Sequence, residues 1–451
     1  MENQNENIIA AIDVGTTKIV VLVGRRDAEG HIEVIGYGRT ESKGMRRGAV
    51  LNIDEATNSI RAAVQQAEEQ SGFKITDAYV GIAGQHIRSQ RFTQTKNRNS
   101  ANERISQADV DSLINQMREV PTEMGEEVLH ILPQSYTVDG EHDISNPVGM
   151  DGKQLSGDFH IVFGQMAAAN NLRQCVENNG IKVKSLILEP LASSEAVLTN
   201  DDKELGVVLV DIGGGTTDVA IFRNGQIYHT EVIPFGGNVI TNDIKESCSI
   251  LERQAESLKV QYGQAFPTTE IANQVATIQS TGGLKAKEIS LVMLSEVIRA
   301  RMNEIIATVK LQIDNAGLPK NFGAGIVLTG GGAMLRHVVN LFSLNTGLEV
   351  RIGVPNKIIK TDIESVTNLP SNSTSIGLLM MGFENSADSF GTYIQQNHQP
   401  ADEQMTVQET ENTQNTEFEQ PETNKKQKTE VVKGWLNKMM DFVTTVDDKE
   451  L

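Results

Sequence analysis

An apolar run that ends in aspartate, turns through glycine and threonine, and resumes as an apolar run occurs twice in this chain. The first copy is Ile8–Val23 (IIAAIDVGTTKIVVLV) and the second is Gly206–Phe222 (GVVLVDIGGGTTDVAIF). β-Branched runs on either side of a glycine turn read as a β-hairpin. Glycines let the backbone come close to a phosphate with N–H groups facing the anion. Asp13 and Asp211 sit at strand ends, where they suit the hydration shell of Mg²⁺, a cation that keeps waters and takes only one or two carboxylates. The plain alternative for such a turn on its own is a glycine-rich hairpin without a ligand. Two of them, far apart in the chain, point to a duplicated domain with a phosphate gripped between its halves. Lys18 places a cation beside the first turn, where a β- or γ-phosphate would lie. A third glycine turn follows at Gly325–Leu335 (GIVLTGGGAML), read as strand, turn and the start of an apolar-periodic helix. Bare backbone there lets a base or ribose lie flat.

These three pieces, in this order, resemble the actin, Hsp70 and sugar-kinase ATPase superfamily. On that resemblance Asp13–Lys18 is the first phosphate loop, Asp211–Asp218 the second and Gly325–Leu335 the adenosine loop. The resemblance implies two helices connecting the halves, and Ser185–Leu198 and Ser375–Phe383 fit those places. It implies ATP and Mg²⁺ as ligands, with Asp13 and Asp211 meeting the metal through water. Gly15, Thr16, Thr17, Lys18, Gly213, Gly214, Gly215, Thr216 and Thr217 fall on the phosphates, and Gly330, Gly331 and Gly332 behind the nucleoside. Glu189 is the candidate for orienting an attacking water, as related ATPases use acidic or amide residues. A helix N-terminal carboxylate ahead of Pro190 is the equal alternative. ATP binding is the expectation; hydrolysis stays open, and a slow reaction outside the chain's main role is expected of it.

A formal charge of −19 argues against a general nucleic-acid binder. Met1–Asn7 lacks the basic and apolar regions of a secretory signal. No apolar run approaches the roughly 20 residues that span a bilayer. Cys175 and Cys248 read as buried or helix-face thiols, and a reducing cytoplasm is the expected compartment.

Asp54–Gln70 has helical spacing, with Ala56, Ile60, Ala63, Val64 and Ala67 on one face and Asp54 as the expected N-cap. Ala78–Ala83 reads as a buried strand. Residues 84–164 do not fit simple actin. They read as an inserted α+β unit with strands at Ile87–Thr93, Glu127–Tyr136 and Asp158–Phe163 and a helix at Ser106–Arg118. An insertion at this position, together with Ser42–Gly48, Leu132–Gln134, Asn146–Gly149, Leu191–Ser194, Glu204–Gly206 and Val232–Asn238, is similar to the FtsA family of bacterial cell-division proteins. The likeness runs from Ile8 to about Phe383. It implies that the region Gly237–Ala316 docks the acidic-apolar C-terminal peptide of FtsZ, the tubulin-like ring protein. Helices are expected at Ile240–Ser247 and Ile289–Val309, and Arg301 falls where the family has an arginine able to fork onto an acidic peptide. The plain alternative for Arg301 is a solvated helix face.

Beyond Phe383 the chain is rich in Gln, Asn, Thr and Glu, a composition that cannot bury enough apolar area to fold. Helical periodicity returns near the C-terminus, where Val432, Trp435, Leu436, Met439, Met440, Val443 and Val446 share one stripe beside Phe442, with lysines around them. After a flexible tether this reads as an interfacial helix on anionic lipid; partner-helix docking is the competing reading. Asp441, Asp447, Asp448 and Glu450 make it less basic than such helices often are, so polymer avidity would matter.

The expected fold is α/β: an actin-like, ribonuclease H-like, duplicated two-lobed ATPase with an inserted small α+β subdomain, a disordered linker and a C-terminal amphipathic helix. Residues 1–83 and 165–194 form the first lobe's core, with 375–385 returning to it, and 84–164 the insert. Residues 195–236 and 317–374 form the second core and 237–316 its small subdomain. Residues 386–428 are the linker and 429–447 the membrane-targeting helix. The resemblance implies a peripheral protein on the cytoplasmic membrane face at the septum. It polymerises head to tail, binds FtsZ, meets later divisome proteins through 84–164 and anchors the Z ring. The rivals are a small-molecule kinase of the same superfamily, which leaves the tail unexplained, and an Hsp70-like chaperone, for which residues 384–451 are too short and polar.

Overall fold

Both acidic hairpins form. Ile8–Val14 pairs antiparallel with Lys18–Arg26, and Val207–Ile212 with Thr217–Arg223. These Val/Ile runs are buried on both faces, as central strands covered by helices on either side must be. The computed structural model of the chain describes residues 8–27, 29–98, 104–279, 286–318, 322–355, 359–361, 366, 369–386 and 393–394. The expected interfacial helix at 429–447, and the expected linker apart from residues 386 and 393–394, lie outside the described residues.

Each hairpin is the heart of one lobe. The first sheet runs Lys182–Leu188, Asp77–Ile82, Ile8–Val14, Lys18–Arg26, Ile32–Glu41, with Ile359–Lys360 at its edge. The second runs Val350–Ile352, Ile326–Thr329, Val207–Ile212, Thr217–Arg223, Gln226–Ile233. In both, three consecutive strands form an antiparallel meander and two later strands add in parallel beside the meander's first. The two lobes thus repeat one topology. Asp13 and Asp211 occupy equivalent places near the carboxyl ends of equivalent strands, where open α/β sheets put their ligands.

Two helices join the lobes. The first is shorter than its sequence suggests. Ser185–Leu188 is the end of a strand, paired with Tyr79–Ile82, and the helix is Glu189–Val197. Pro190 explains the start, since its fixed φ and missing N–H suit a first helical turn. The second is Ser373–Ser386, entered through a 3₁₀ turn at Pro370–Asn372. The helices cross in backbone contact: a Cβ on Gly377 would lie 1.7 Å from the Ala192 carbonyl oxygen. Gly377→Ala is therefore expected to force the helices apart and cost about 1–3 kcal/mol, the usual range for overpacking a tight core. A denaturant midpoint equal to wild type would show that the crossing accommodates the added methyl group.

Other boundaries move for identifiable reasons. The helix Ile53–Ser71 is capped by Asn52, whose side chain accepts from the Glu55 N–H at 3.1 Å, and not by Asp54. Asp54 lies in the first turn, where a carboxylate favours the helix dipole. The glycine turn after Ile326–Thr329 leads into a 3₁₀ turn, Gly331–Met334, and the helix begins only at Val338, after His337 takes φ 63°. In the small subdomain, Ile289 belongs to a strand, Lys287–Ser290, paired with Val275–Ile278, and the helix is Leu291–Asn315. Its buried face includes Leu291, Leu294, Ile298, Ile305 and Val309, while Val297 is only partly covered. The shorter helix extends to Gly237–Cys248.

The insert is a sheet of Ile87–Asn97, Gln154–Gln165, Glu126–Val138 and Glu141–Ile144 with the helix Gln107–Gln116 packed on it. Within the stretch expected as linker, Tyr393–Ile394 adds a two-residue strand beside His130–Ile131. Ser106 and Asp109 cap the helix reciprocally, as their spacing indicates. The insert grows out of the first lobe but is hydrogen-bonded to the second lobe's edge strand. Gln134 donates to the Ile227 carbonyl at 2.8 Å, Ser89 to the Thr230 carbonyl at 3.0 Å, and His160 Nε2 lies 2.8 Å from Thr230 Oγ1. Leu132 and Val162 of the insert, Leu188 and Leu191 at the hinge, and Leu209, Phe222 and Ile227 of the second lobe share one buried cluster. The insert therefore braces the underside of the hinge.

Candidate functional site

The two turns meet across the cleft. A Cβ on Gly214 would lie 2.3 Å from Thr17 Cγ2, and one on Gly215 2.3 Å from Thr16 Oγ1. Only glycine lets the turns approach so closely. Further contacts brace them. Gly48, the last residue of the stretch Ser42–Gly48, donates its N–H to Thr16 Oγ1 at 3.3 Å. Gly237 and Asn238 donate theirs to the Gly213 and Gly214 carbonyls at 2.8 Å. Thr217 Oγ1 donates to the Phe235 carbonyl at 2.9 Å. The third turn closes in from the second lobe, with a Cβ on Gly330 falling 2.2 Å from Asp211 Oδ1 and one on Gly332 2.3 Å from Ile212 Cγ2. Gly331 faces open space.

Beneath the turns lie four carboxylates and one ammonium. Asp13, Asp211 and Asp218 are buried and Glu189 is partly open. Burial pushes the Asp13 carboxyl up to about 6; Lys18 opposes the shift and Asp211 adds to it. Burial, then Asp13, Asp218 and Asp211, push Glu189 well above the ordinary carboxylate range. Asp218 is raised well above it too, by burial and by Asp211, which sits directly opposite across the hairpin. Asp211 is raised by burial although Ser193 and Thr374 donate hydrogen bonds to it. Burial lowers Lys18, whose Nζ donates to the Ser371 carbonyl and, at 3.2 Å, to Asn372 Oδ1. Lys18 thus ties the first turn to the entry of the second hinge helix.

Like charges crowded in low dielectric are held only where a cation or a proton compensates them. Asp218 Oδ1 is buried with no hydrogen-bond partner among the described residues. No three of these four carboxylates bring oxygens within 4.8 Å of one another there. Such a donor set fits a divalent cation held through its waters, not a closed protein cage. The only described group with three ligand atoms that close is the surface turn Asp27, Glu29 and His31.

Asp218, Ser193, Thr374 and the pair Glu256 and Lys259 are not among the site residues that the sequence singles out. Lys259 Nζ donates to the Gly237 carbonyl at 2.9 Å and pairs with Glu256 at 2.7 Å, and Gly237 in turn donates its N–H to the Gly213 carbonyl of the second turn. Asp218 was legible as a second carboxylate flanking the same glycine turn. The others needed the fold, because they arrive from distant segments. Arg301 lies away from the cleft on the helix Leu291–Asn315, and its guanidinium forks onto Asp243 at 2.6 and 3.0 Å and also holds Glu304. Val432, Trp435, Leu436, Met439, Met440, Phe442 and Val443 are outside the described residues.

A family model described as cell division protein FtsA matches residues 208–377, and one described as the SHS2 domain inserted in FtsA matches residues 84–163. The chain is 36% identical over 403 residues to the cell division protein FtsA of Pseudomonas aeruginosa, covering 89% of this chain and 95% of that one. Its structure is similar to that of the PilM-PilN type IV pilus biogenesis complex, with TM-score 0.61 at 15% identity over 83% of this chain and 98% of that one. It is also similar to MreB5 of Spiroplasma citri bound to ADP, with TM-score 0.52 at 15% identity over 85% and 99%. At such identities the structural likeness speaks for the fold: actin-like, duplicated and two-lobed, with an inserted α+β subdomain.

Proposed function

The chain belongs to the FtsA family of cell-division proteins, and from that premise we propose that it is an ATP-dependent actin-like polymer-former that anchors the FtsZ ring to the cytoplasmic face of the membrane. The observation that carries the nucleotide part is the meeting of two matched acidic turns, Thr16–Thr17 against Gly214–Gly215, above a nest of buried carboxylates. ATP with a hydrated Mg²⁺ suits that arrangement: the metal, when bound, supplies positive charge to phosphate oxygens and carboxylates alike. Asp13 and Asp211 hold its waters. Gly15, Thr16, Thr17, Lys18 and Gly213–Thr217 would hold the phosphates, and Gly330–Gly332 would back the nucleoside. Glu189, at the start of the first hinge helix, would orient a water, with hydrolysis slow and secondary to assembly.

Residues held between two lobes fix the angle between them, and a fixed angle presents one surface for head-to-tail contact. Such a heterologous contact does not close and generates filaments. The small subdomain offers the acidic-apolar C-terminal peptide of FtsZ an exposed Phe266 with Arg299 stacked on it at 5.8 Å. Arg299 is the more available cation, because its exposed pair with Glu296 is worth at most about 1 kcal/mol, whereas Arg301 is forked onto Asp243. The insert meets later division proteins. No helix among the described residues is long and apolar enough to cross a membrane. The apolar stripe of residues 429–447, with its lysines, would bind anionic lipid.

Vesicle co-sedimentation tests this reading. The full chain with ATP and Mg²⁺ is expected to pellet with anionic vesicles and to form filaments on them by electron microscopy. A chain ending before residue 429 is expected to stay in the supernatant. Equal pelleting of the two removes the anchor, and pelleting without filaments removes the polymer.

A further inference from the structure

Among the described residues, Asp211 is the one cleft carboxylate that accepts hydrogen bonds from both hinge helices. Ser193, in the helix Glu189–Val197, donates to Asp211 Oδ2 at 2.6 Å. Thr374, in the helix Ser373–Ser386, donates to the same oxygen at 3.2 Å. The two hydroxyls stand 3.1 Å apart, and all three side chains are buried. The Ser193 bond, at 2.6 Å, has the length of the strong, charge-assisted kind, and the Thr374 bond is the longer and weaker of the two. Oδ2 is thereby occupied, and the second oxygen stays beside Gly330, where a Cβ would meet it at 2.2 Å. The fork also lies one helical turn from the crossing point. Ala192, whose carbonyl Gly377 abuts, precedes Ser193, and Thr374 is three residues before Gly377.

A bland account exists: a buried carboxylate needs donors, and two hydroxyls supply them. That account needs neither donor to come from a hinge helix, and it predicts equal loss with and without metal. Here the donors come from segments far apart in the chain that share only the hinge. We infer that Ser193 and Thr374 are positioning residues: from the two crossing hinge helices they set the Asp211 carboxylate toward a hydrated divalent cation, so that metal-dependent nucleotide binding and the angle of the crossing are coupled. The inference rests on the nucleotide reading above and deepens it. Coupling of this kind is reciprocal, so metal and nucleotide must tighten the crossing as much as the crossing favours them.

The test titrates ATP into the full chain with Mg²⁺ and again in EDTA, for wild type, Ser193→Ala, Thr374→Val and Thr374→Ser. Amide hydrogen exchange along Ser373–Ser386 is followed in parallel. Losing a hydrogen bond to a charged group is expected to weaken Mg²⁺-dependent ATP binding by roughly tenfold or more in Ser193→Ala, and less in Thr374→Val. The affinity in EDTA is expected to move far less, and Thr374→Ser to restore the wild-type value. Exchange in the second hinge helix should slow on adding Mg²⁺ to the ATP-bound wild type and not in Ser193→Ala. Equal losses in Mg²⁺ and EDTA, or an exchange response unchanged in the variants, overturn the positioning role while leaving the site intact. Wild type that binds no ATP in either condition overturns the nucleotide reading and this inference with it.

Discussion

Asp211→Asn is expected to lower Mg²⁺-dependent ATP affinity by roughly 100-fold or more, the scale on which a metal-orienting charge contributes, and at the same time to make the nucleotide-free protein more stable. The opposite signs follow from one fact. Asp211 is buried close to Asp13, Glu189 and Asp218, and the Lys18 ammonium opposes the shift that this crowding causes. Without a bound cation each negative charge there raises the cost of the others. Asparagine keeps an acceptor for Ser193 and Thr374 and almost the same volume, so it removes charge without opening a cavity. Removing the Asp211 charge eases the ionisation of each neighbour it raises, Asp13, Glu189 and Asp218, so the nucleotide-free fold gains stability. Sites that work on charged ligands commonly hold this kind of stored cost. Calorimetric titration and a denaturant curve on the same variant decide the matter. A variant that binds Mg·ATP like wild type, or one less stable without nucleotide, contradicts the picture of repelling carboxylates waiting for a cation.

The halves of this site were unequally visible in the chain. Asp13 and Asp211 stood out because strand, turn and strand are local, and a turn that needs glycine announces itself. Their facing one another followed from the repetition alone, since equivalent strands of a duplicated fold end on the same side. The donors that fix Asp211 were hidden. Ser193 and Thr374 are ordinary hydroxyls in apolar helices, and only the crossing at Gly377 brings them to one oxygen. Lys18 shows the limit of position without geometry. Its place beside the turn was legible, but not its hydrogen bonds to Ser371 and Asn372, which make it part of the hinge as well as of the cleft. Boundary errors had local causes: Asn52 outcompeted Asp54 as a cap, and Ser185–Leu188 took a strand's pairing in preference to helical continuation. The insert's secondary structure was readable from its own residues. Its bracing of both lobes was not, because hydrogen bonds from Gln134, Ser89 and Arg91 go to backbone carbonyls, which no side-chain pattern records.

That brace carries the second large effect. Lowering the pH from about 7 to about 5 is expected to raise the stability of His160→Gln relative to wild type by about 2 kcal/mol. His160 is buried where the insert meets the second lobe, and burial, with His229 and Arg91 nearby, holds its imidazole down to about 3. An unfolded chain takes up the proton near pH 6.5; the folded one refuses it. The sign is that of a depressed base: folding loses stability as pH falls below 6.5, by about 1.4 kcal/mol per unit, and one and a half units give about 2 kcal/mol. Glutamine has no proton to gain and still reaches Thr230. His130, held to about 4 by burial and accepting the Leu188 N–H at 2.9 Å, adds a loss of the same sign beside the hinge. The cleft responds the other way. Asp13, raised to about 6, costs stability once ionised, so acid relieves it until the pH reaches the unfolded value of 3.8. Overall stability therefore hides two opposed changes, and only the difference between variant and wild type exposes either. Hydrogen exchange in Gln226–Ile233 should accelerate at pH 5 in wild type, after correction for intrinsic rates, and much less in His160→Gln. If the stability difference stays constant across that pH range, His160 is not held neutral at this joint, and the insert's grip on the second lobe does not depend on it.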